Sequence, residues 1–209
     1  MWTCAKCGVQ ACSAEPGARR YPTDCPTTVG ADLIDEVEAI YEHDPETRRL
    51  LIASAQTEAA GYCRETRAEE IMSFARRIGA RRLGVAHCIG LAREAALFED
   101  ILKAHEFEVH CICCKVGSTP KEQVGLTDAE KVHPGQYEPV CSPVAQARWL
   151  NRLGMQLNVV IGLCVGHDSL FFRNSDAPVT VLVVKDRVTG HNPVAALYTS
   201  HSYYRRLKG

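Results

Sequence analysis

Hydrophobic positions change their spacing along this chain, and each change marks a different kind of element. Between positions 31 and 80 they recur at helix spacing: Leu33, Ile34, Val37 and Ile40, then Leu50 and Leu51, then Ile71, Phe74 and Ile78. Two or three amphipathic helices are predicted there. Beyond that point short apolar runs alternate with helical ones. Strands are predicted over 82–88, 107–114, 157–164 and 179–184, with helices over 92–105 and 143–153. Strands separated by helices need crossover connections, so the expected fold class is α/β, a mainly parallel sheet with flanking helices.

Two stretches have no apolar period. Residues 1–30 are rich in Cys, Pro, Gly and Thr, and Tyr21-Pro22 and Cys25-Pro26 rule out a long helix. Such a segment has no core of its own and needs a metal or a larger domain to order it. The expected organisation is a small Cys-rich metal-binding segment, 1–30, before an α/β domain, 31–209, whose first part, 31–80, is helical. Residues 116–140 form a loop too long to be a plain connection, either covering a site or making a surface excursion.

Charge narrows the partners. Lys and Arg number 24 against 25 Asp and Glu, so no polyanion-binding surface is expected and nucleic acid drops out as a partner. The start, Met-Trp-Thr-Cys-Ala-Lys-Cys-Gly, lacks the basic and apolar runs of a secretory signal. The longest apolar stretch, 157–165, falls well short of the roughly 20 residues that span a bilayer. A soluble, cytoplasmic protein with no membrane partner is expected. In that reducing compartment eleven cysteines point to metal ligation or thiol chemistry rather than disulfides.

The cysteines fall into two constellations. The first is Cys4-x2-Cys7-x4-Cys12-x12-Cys25 followed by Pro, four soft donors in a coreless segment. The spacing suits thiolate ligation, with zinc and iron–sulfur both able to use it, and the x2, x4 rhythm with Cys-Pro leans to iron–sulfur. The second comprises Cys88, Cys114, Cys141 and Cys164, separated by 25, 26 and 22 residues, about one βα unit each. If three of them end successive strands and Cys141 precedes a helix, all four converge where open α/β sheets bind ligands, at the strands' carboxyl ends. Each alone reads more readily as a small buried hydrophobe, and it is the set of four that reads as a ligand site. Cys111 and Cys113 alternate away from Cys114 along their strand, and Cys63 belongs to neither set.

Other chemistry gathers at the same ends. His167 could ligate metal or move protons, while Asp168 and Ser169 beside it read equally as helix N-caps. Lys185, in Lys185-Asp186-Arg187 with His191 close behind, could meet an anionic substrate, or the run is a solvated turn. Lys115 could depress the Cys114 thiol or hold an anion. His87 reads as a buried, hydrogen-bonded histidine. No Gly-x-x-x-x-Gly-Lys-Ser/Thr loop is present, which disfavours ATP, and no Gly-x-Gly-x-x-Gly follows the first strand, which disfavours NAD.

The blocks Gly84-Val-Ala-His-Cys-Ile-Gly-Leu-Ala-Arg-Glu-Ala95, Cys114-Lys-Val-Gly117, Cys141-Ser-Pro-Val-Ala-Gln-Ala147, Asn158-Val-Val-Ile-Gly-Leu-Cys-Val-Gly-His-Asp-Ser-Leu-Phe171 and Val184-Lys-Asp-Arg187 are long and specific. They resemble a family of uncharacterised cysteine-rich proteins of bacteria and archaea for which metal binding is expected. The resemblance spans nearly the whole chain and carries no established reaction. It implies metal binding, and it implies Cys114 as the second strand's site cysteine.

These readings combine into an expectation. The protein carries iron–sulfur, one or two clusters of the 4Fe-4S kind, with Cys4, Cys7, Cys12 and Cys25 at one site and Cys88, Cys114, Cys141 and Cys164 at the other. His167, Asp168 and Lys185 are the candidate catalytic groups, acting on a small-molecule substrate or exchanging electrons with a partner. The alternatives are a zinc-binding store or sensor and a metal-free thiol-dependent enzyme.

Overall fold

A computed structural model describes residues 4–209. They form two compact units, 1–56 and 57–209, the division falling inside a helix. The first unit opens with short 3-10 turns at Cys4–Lys6 and Ala11–Ser13, followed by α1 (Pro26–Val29) and α2 (Ala31–His43). Pro26 sits at the first helical position, where its missing N–H costs nothing. Asp44 closes α2 by donating its N–H to the Ile40 carbonyl and opens α3 (Pro45–Gly61) by accepting from the Glu46 N–H and the Thr47 hydroxyl.

The second unit contains the sheet. Its order is α4 (Arg67–Arg77), β1 (Arg82–His87), α5 (Ala92–Ala104), β2 (Glu108–Cys113), α6 (Pro143–Arg152), β3 (Leu157–Ile161), α7 (His167–Asn174), β4 (Val179–Val183) and α8 (Pro193–Tyr198). Thr66 and Glu69 make a reciprocal capping box that starts α4. All four strands are parallel in the order β2-β1-β3-β4, so the chain is α/β as its alternating pattern predicts. The inner residues of β1 and every residue of β3 are buried, the mark of strands covered on both faces.

Handedness places the helices. From β1 the chain steps outward to β2, then crosses back over β1 to β3 and continues to β4. Right-handed crossovers therefore put α5 on one face and α6 and α7 together on the other, where α6 packs on α7 and on β1 and β2. The core on that side is Ala86, Ala147, Leu150, Met155, Val160, Leu163 and Phe171, joined by Cys88 and Cys114. Full burial of a side chain such as Leu150 or Phe171 stabilises the fold by about 1.5–3 kcal/mol. A Cβ on Gly84 would lie 2.1 Å from Oδ1 of Asn158 on the adjoining β3 and 2.9 Å from Leu150 of α6.

Because the connections leave β1 and β3 in opposite directions, a crevice opens between their carboxyl ends, the topological switch point of the sheet. The strands stop short of the predicted limits. β1 ends at His87, β2 at Cys113 and β3 at Ile161, so Cys88, Cys114 and Cys164 lie in the loops beyond them. Gly162, at φ +64°, turns the chain out of β3. Among the described residues no helix is long and apolar enough to cross a membrane.

A thiolate crevice as the candidate functional site

Backbone hydrogen bonds bring the crevice cysteines together. The Cys88 N–H donates to the Ile161 carbonyl at 3.0 Å, fixing the end of β1 to that of β3. The Cys114 N–H donates to the His87 carbonyl at 2.8 Å, and the Ser142 N–H to the Cys114 carbonyl at 2.7 Å. The long excursion 116–140 is closed at its neck: Val140 N–H meets the Thr119 carbonyl at 2.8 Å and Lys115 Nζ the Pro139 carbonyl at 2.5 Å. Lys131 ties its middle by pairing with Glu122 and Asp128. The loop thus returns the chain to where it left, setting Cys141 beside Cys114.

The three thiols titrate as one unit. Cys114 is 2 % exposed and its thiol stands in hydrogen-bonding contact with both Cys141 and Cys88. It is pushed far up by the two neighbouring thiols, chiefly Cys141, and by burial, although the Ile89 N–H donates to its sulfur at 3.3 Å. The flanking thiols move the other way. Cys88 is lowered to about 5 by the Cys114 hydrogen bond, with the Gly90 N–H and the Lys185 ammonium adding to it against the cost of burial. Cys141 is likewise lowered to about 5 by Cys114, helped by Lys115 and His167. One protonated thiol therefore lies between two thiolates.

Cys164 completes the group from the other side of the switch point. Arg187 Nη2 donates to its sulfur at 3.0 Å, and the fields of Cys88 and Cys141 also reach that guanidinium. His167 is half-buried at the start of α7 and acts on Cys141 through space. Asp168 is turned into its own helix, accepting from the Ser169 N–H at 2.8 Å. The cap of α7 is Gly166 at φ +84°, not Asp168 or Ser169, because the Cys164 carbonyl already accepts the first helical N–H groups of His167 and Asp168. His87 is half-buried with Nδ1 3.1 Å from the Cys88 carbonyl.

Gln146 is the site residue that motif reading missed. It is fully buried on α6, and its Nε2 donates to the carbonyls of His87 at 3.2 Å and Ile112 at 2.7 Å, clamping the ends of β1 and β2 immediately before Cys88 and Cys114. Its Oε1 has no partner. The signal was present in the sequence: Gln146 falls on the buried stripe of Pro143, Ala147 and Leu150. A polar residue on such a stripe has a fixed partner to find.

Of the remaining cysteines, Cys113 packs against the same core cluster as Cys88 and Cys114. Cys111 faces Glu99 of α5, and burial with that carboxylate pushes its thiol up to about 12. Cys63 is exposed and Cys113 half-buried. In the first unit Cys4 and Cys12 are exposed and Cys7 and Cys25 half-buried. The Cys7 N–H donates to the Cys4 carbonyl, the Gln10 N–H reaches Cys7 Sγ at 3.5 Å, and Cys25 caps α1. Among the described residues no three His, Cys, Asp or Glu side chains stand ready around one ion. Neither constellation is a preformed single-ion cage. By donor type the crevice cysteines are soft ligands, four thiols from four loops with Lys115, Lys185 and Arg187 beside them.

Fold and site together define a parallel α/β protein with a charge-compensated thiol crevice at its switch point. The chain belongs to the family described as Protein of unknown function (DUF1847), which it matches over residues 25–182. That span holds Cys25 and all four crevice cysteines. Uncharacterized protein MJ0455 of Methanocaldococcus jannaschii is 39 % identical over 186 residues, covering 89 % of this chain and 92 % of the relative. No solved structure matches the chain.

Proposed function

We propose that the crevice is a cysteine-ligated metal centre of a cytoplasmic protein, an iron–sulfur group being the occupant its chemistry favours. The observation that carries this reading is the pairing of four thiols with Lys115, Lys185 and Arg187. Two ionised thiols beside a third in a half-buried site need positive charge nearby, and a thiolate-ligated cluster, itself anionic, needs the same. Cys88, Cys114, Cys141 and Cys164 would hold the group, which supplies electron transfer or an open iron position. The protein's own part is to fix those sulfurs through the backbone and Gln146, to offset their charge, and to offer His167 for proton movement at the rim. Cys4, Cys7, Cys12 and Cys25 are proposed as a second soft-metal site, zinc or iron–sulfur, serving stability or electron relay.

A second reading rests on the contact between Cys88, Cys114 and Cys141. Free thiols in hydrogen-bonding contact, with ionised sulfurs flanking a protonated one, suit nucleophilic or redox thiol chemistry without metal. Anaerobic purification with iron, sulfide and zinc analysis and a visible spectrum separates the two. Iron with matching sulfide and broad visible absorption is expected. Stoichiometric zinc and no absorption would leave a zinc protein, and no metal at all would leave the thiol enzyme.

A further inference from the structure

Among the described residues no ion pair joins Lys115, Lys185 or Arg187 to a carboxylate; Lys115 reaches the Pro139 carbonyl and Cys141, Lys185 lies at Cys88 and Arg187 at Cys164. The carboxylate best placed to neutralise two of them is Asp186, between Lys185 and Arg187, and it is held away. Its Oδ1 accepts from the Val188 N–H at 2.8 Å and the Thr189 N–H at 3.0 Å. Its backbone is locked to His191, whose Nδ1 accepts the Asp186 N–H at 3.1 Å and whose N–H donates to the Asp186 carbonyl at 2.8 Å. His191 adopts φ +68° here, a left-handed conformation uncommon outside glycine that histidine takes more readily than most side chains.

The turn therefore points both cations the same way. Lys185 reaches Cys88 beside Gly90 and is half-buried, while Arg187 reaches Cys164 and is exposed. A half-buried ammonium and an accessible guanidinium, with the acid between them locked off, stand beside the thiols. The guanidinium fork matches two oxygens of one group, and the ammonium adds a point charge.

We infer that Lys185 and Arg187 form the binding site of a small oxyanion substrate, held against the thiols at the carboxyl edge of the sheet. The inference rests on the crevice being the reaction centre and supplies its substrate class: a compact molecule bearing a carboxylate or a tetrahedral oxyanion. The Asp186–His191 turn is the positioning device, keeping the neighbouring carboxylate off both cations and leaving them against the thiols.

The test is calorimetric titration of acetate and, separately, inorganic phosphate into the full chain isolated anaerobically at low ionic strength, with iron and zinc measured in every preparation. One molar equivalent is expected to bind, and the better of the two probes distinguishes a carboxylate from a tetrahedral site. Arg187→Met and Lys185→Met each weaken binding by at least about tenfold when affinities are compared at equal metal content, whereas Arg148→Met, on α6, leaves affinity as it was. Absence of binding to the unaltered chain, or unaltered affinity in both variants, overturns the inference. So does a fall in affinity that vanishes once it is compared at equal metal content, since the cations would then serve the metal group's charge alone. A metal-free chain that still binds anion through these residues contradicts the metal reading and upholds the anion site.

Discussion

At the scale of single residues the site is a distribution of protons. Cys114 keeps its proton because two ionising sulfurs and burial leave no room for a third charge, while its hydrogen bonds, with Lys185 and Lys115 adding to them, favour the thiolates of Cys88 and Cys141. In metal-free, reduced protein Cys141, the half-buried one, is expected to react with iodoacetamide at pH 6 far ahead of Cys111 and Cys114, with the rate falling as pH drops through about 5. Mass mapping of the labelled cysteines reads this out, and equal labelling of Cys141 and Cys111 would contradict it. The same shifts set a pH trend in stability. Folding lowers both flanking thiols from 9.0 to about 5, so their contribution is complete above pH 9 and gone once pH falls through 5. Urea midpoints of the metal-free protein should rise from pH 5 to 8.

At the scale of elements, close approach of α6 to the sheet is what aligns the thiol loops. Gly84→Ala forces a Cβ to 2.1 Å from Asn158 Oδ1 and is expected to destabilise by about 1–3 kcal/mol, measured by denaturant unfolding. Gln146→Met removes the donor that clamps the His87 and Ile112 carbonyls and should cost about 1–3 kcal/mol, loosening Cys88 and Cys114 together. Much of this architecture was legible in the sequence. Strand and helix periods placed every sheet element, because strands buried on both faces read as continuous apolar runs bounded by breakers. Their ends were less legible, since Gly162 and the turn after His87 release the chain before the apolar run finishes. The spacing of one βα unit between cysteines foretold convergence on the carboxyl edge. Which thiol holds a proton, and which carboxylate is turned away, depends on loop hydrogen bonds such as those of Asp186 and on the closed neck of 116–140, and no periodic pattern encodes these.

At the scale of the whole molecule the chain has two cysteine constellations on two compact units, and the account assigns the reaction to the second. The crevice lies at the one point in the sheet where successive connections part, and the family match extends over all four of its cysteines but begins only at Cys25. A chemical role at the switch point predicts that the two sites can be emptied separately. The measurement that tests this most directly is the iron, sulfide and zinc content of a chain in which Cys4, Cys7, Cys12 and Cys25 are all replaced by Ser, purified without oxygen. The account predicts that this chain still carries a metal group and loses it when Cys88→Ser is added. A folded quadruple variant without metal would contradict the assignment of a metal centre to the crevice.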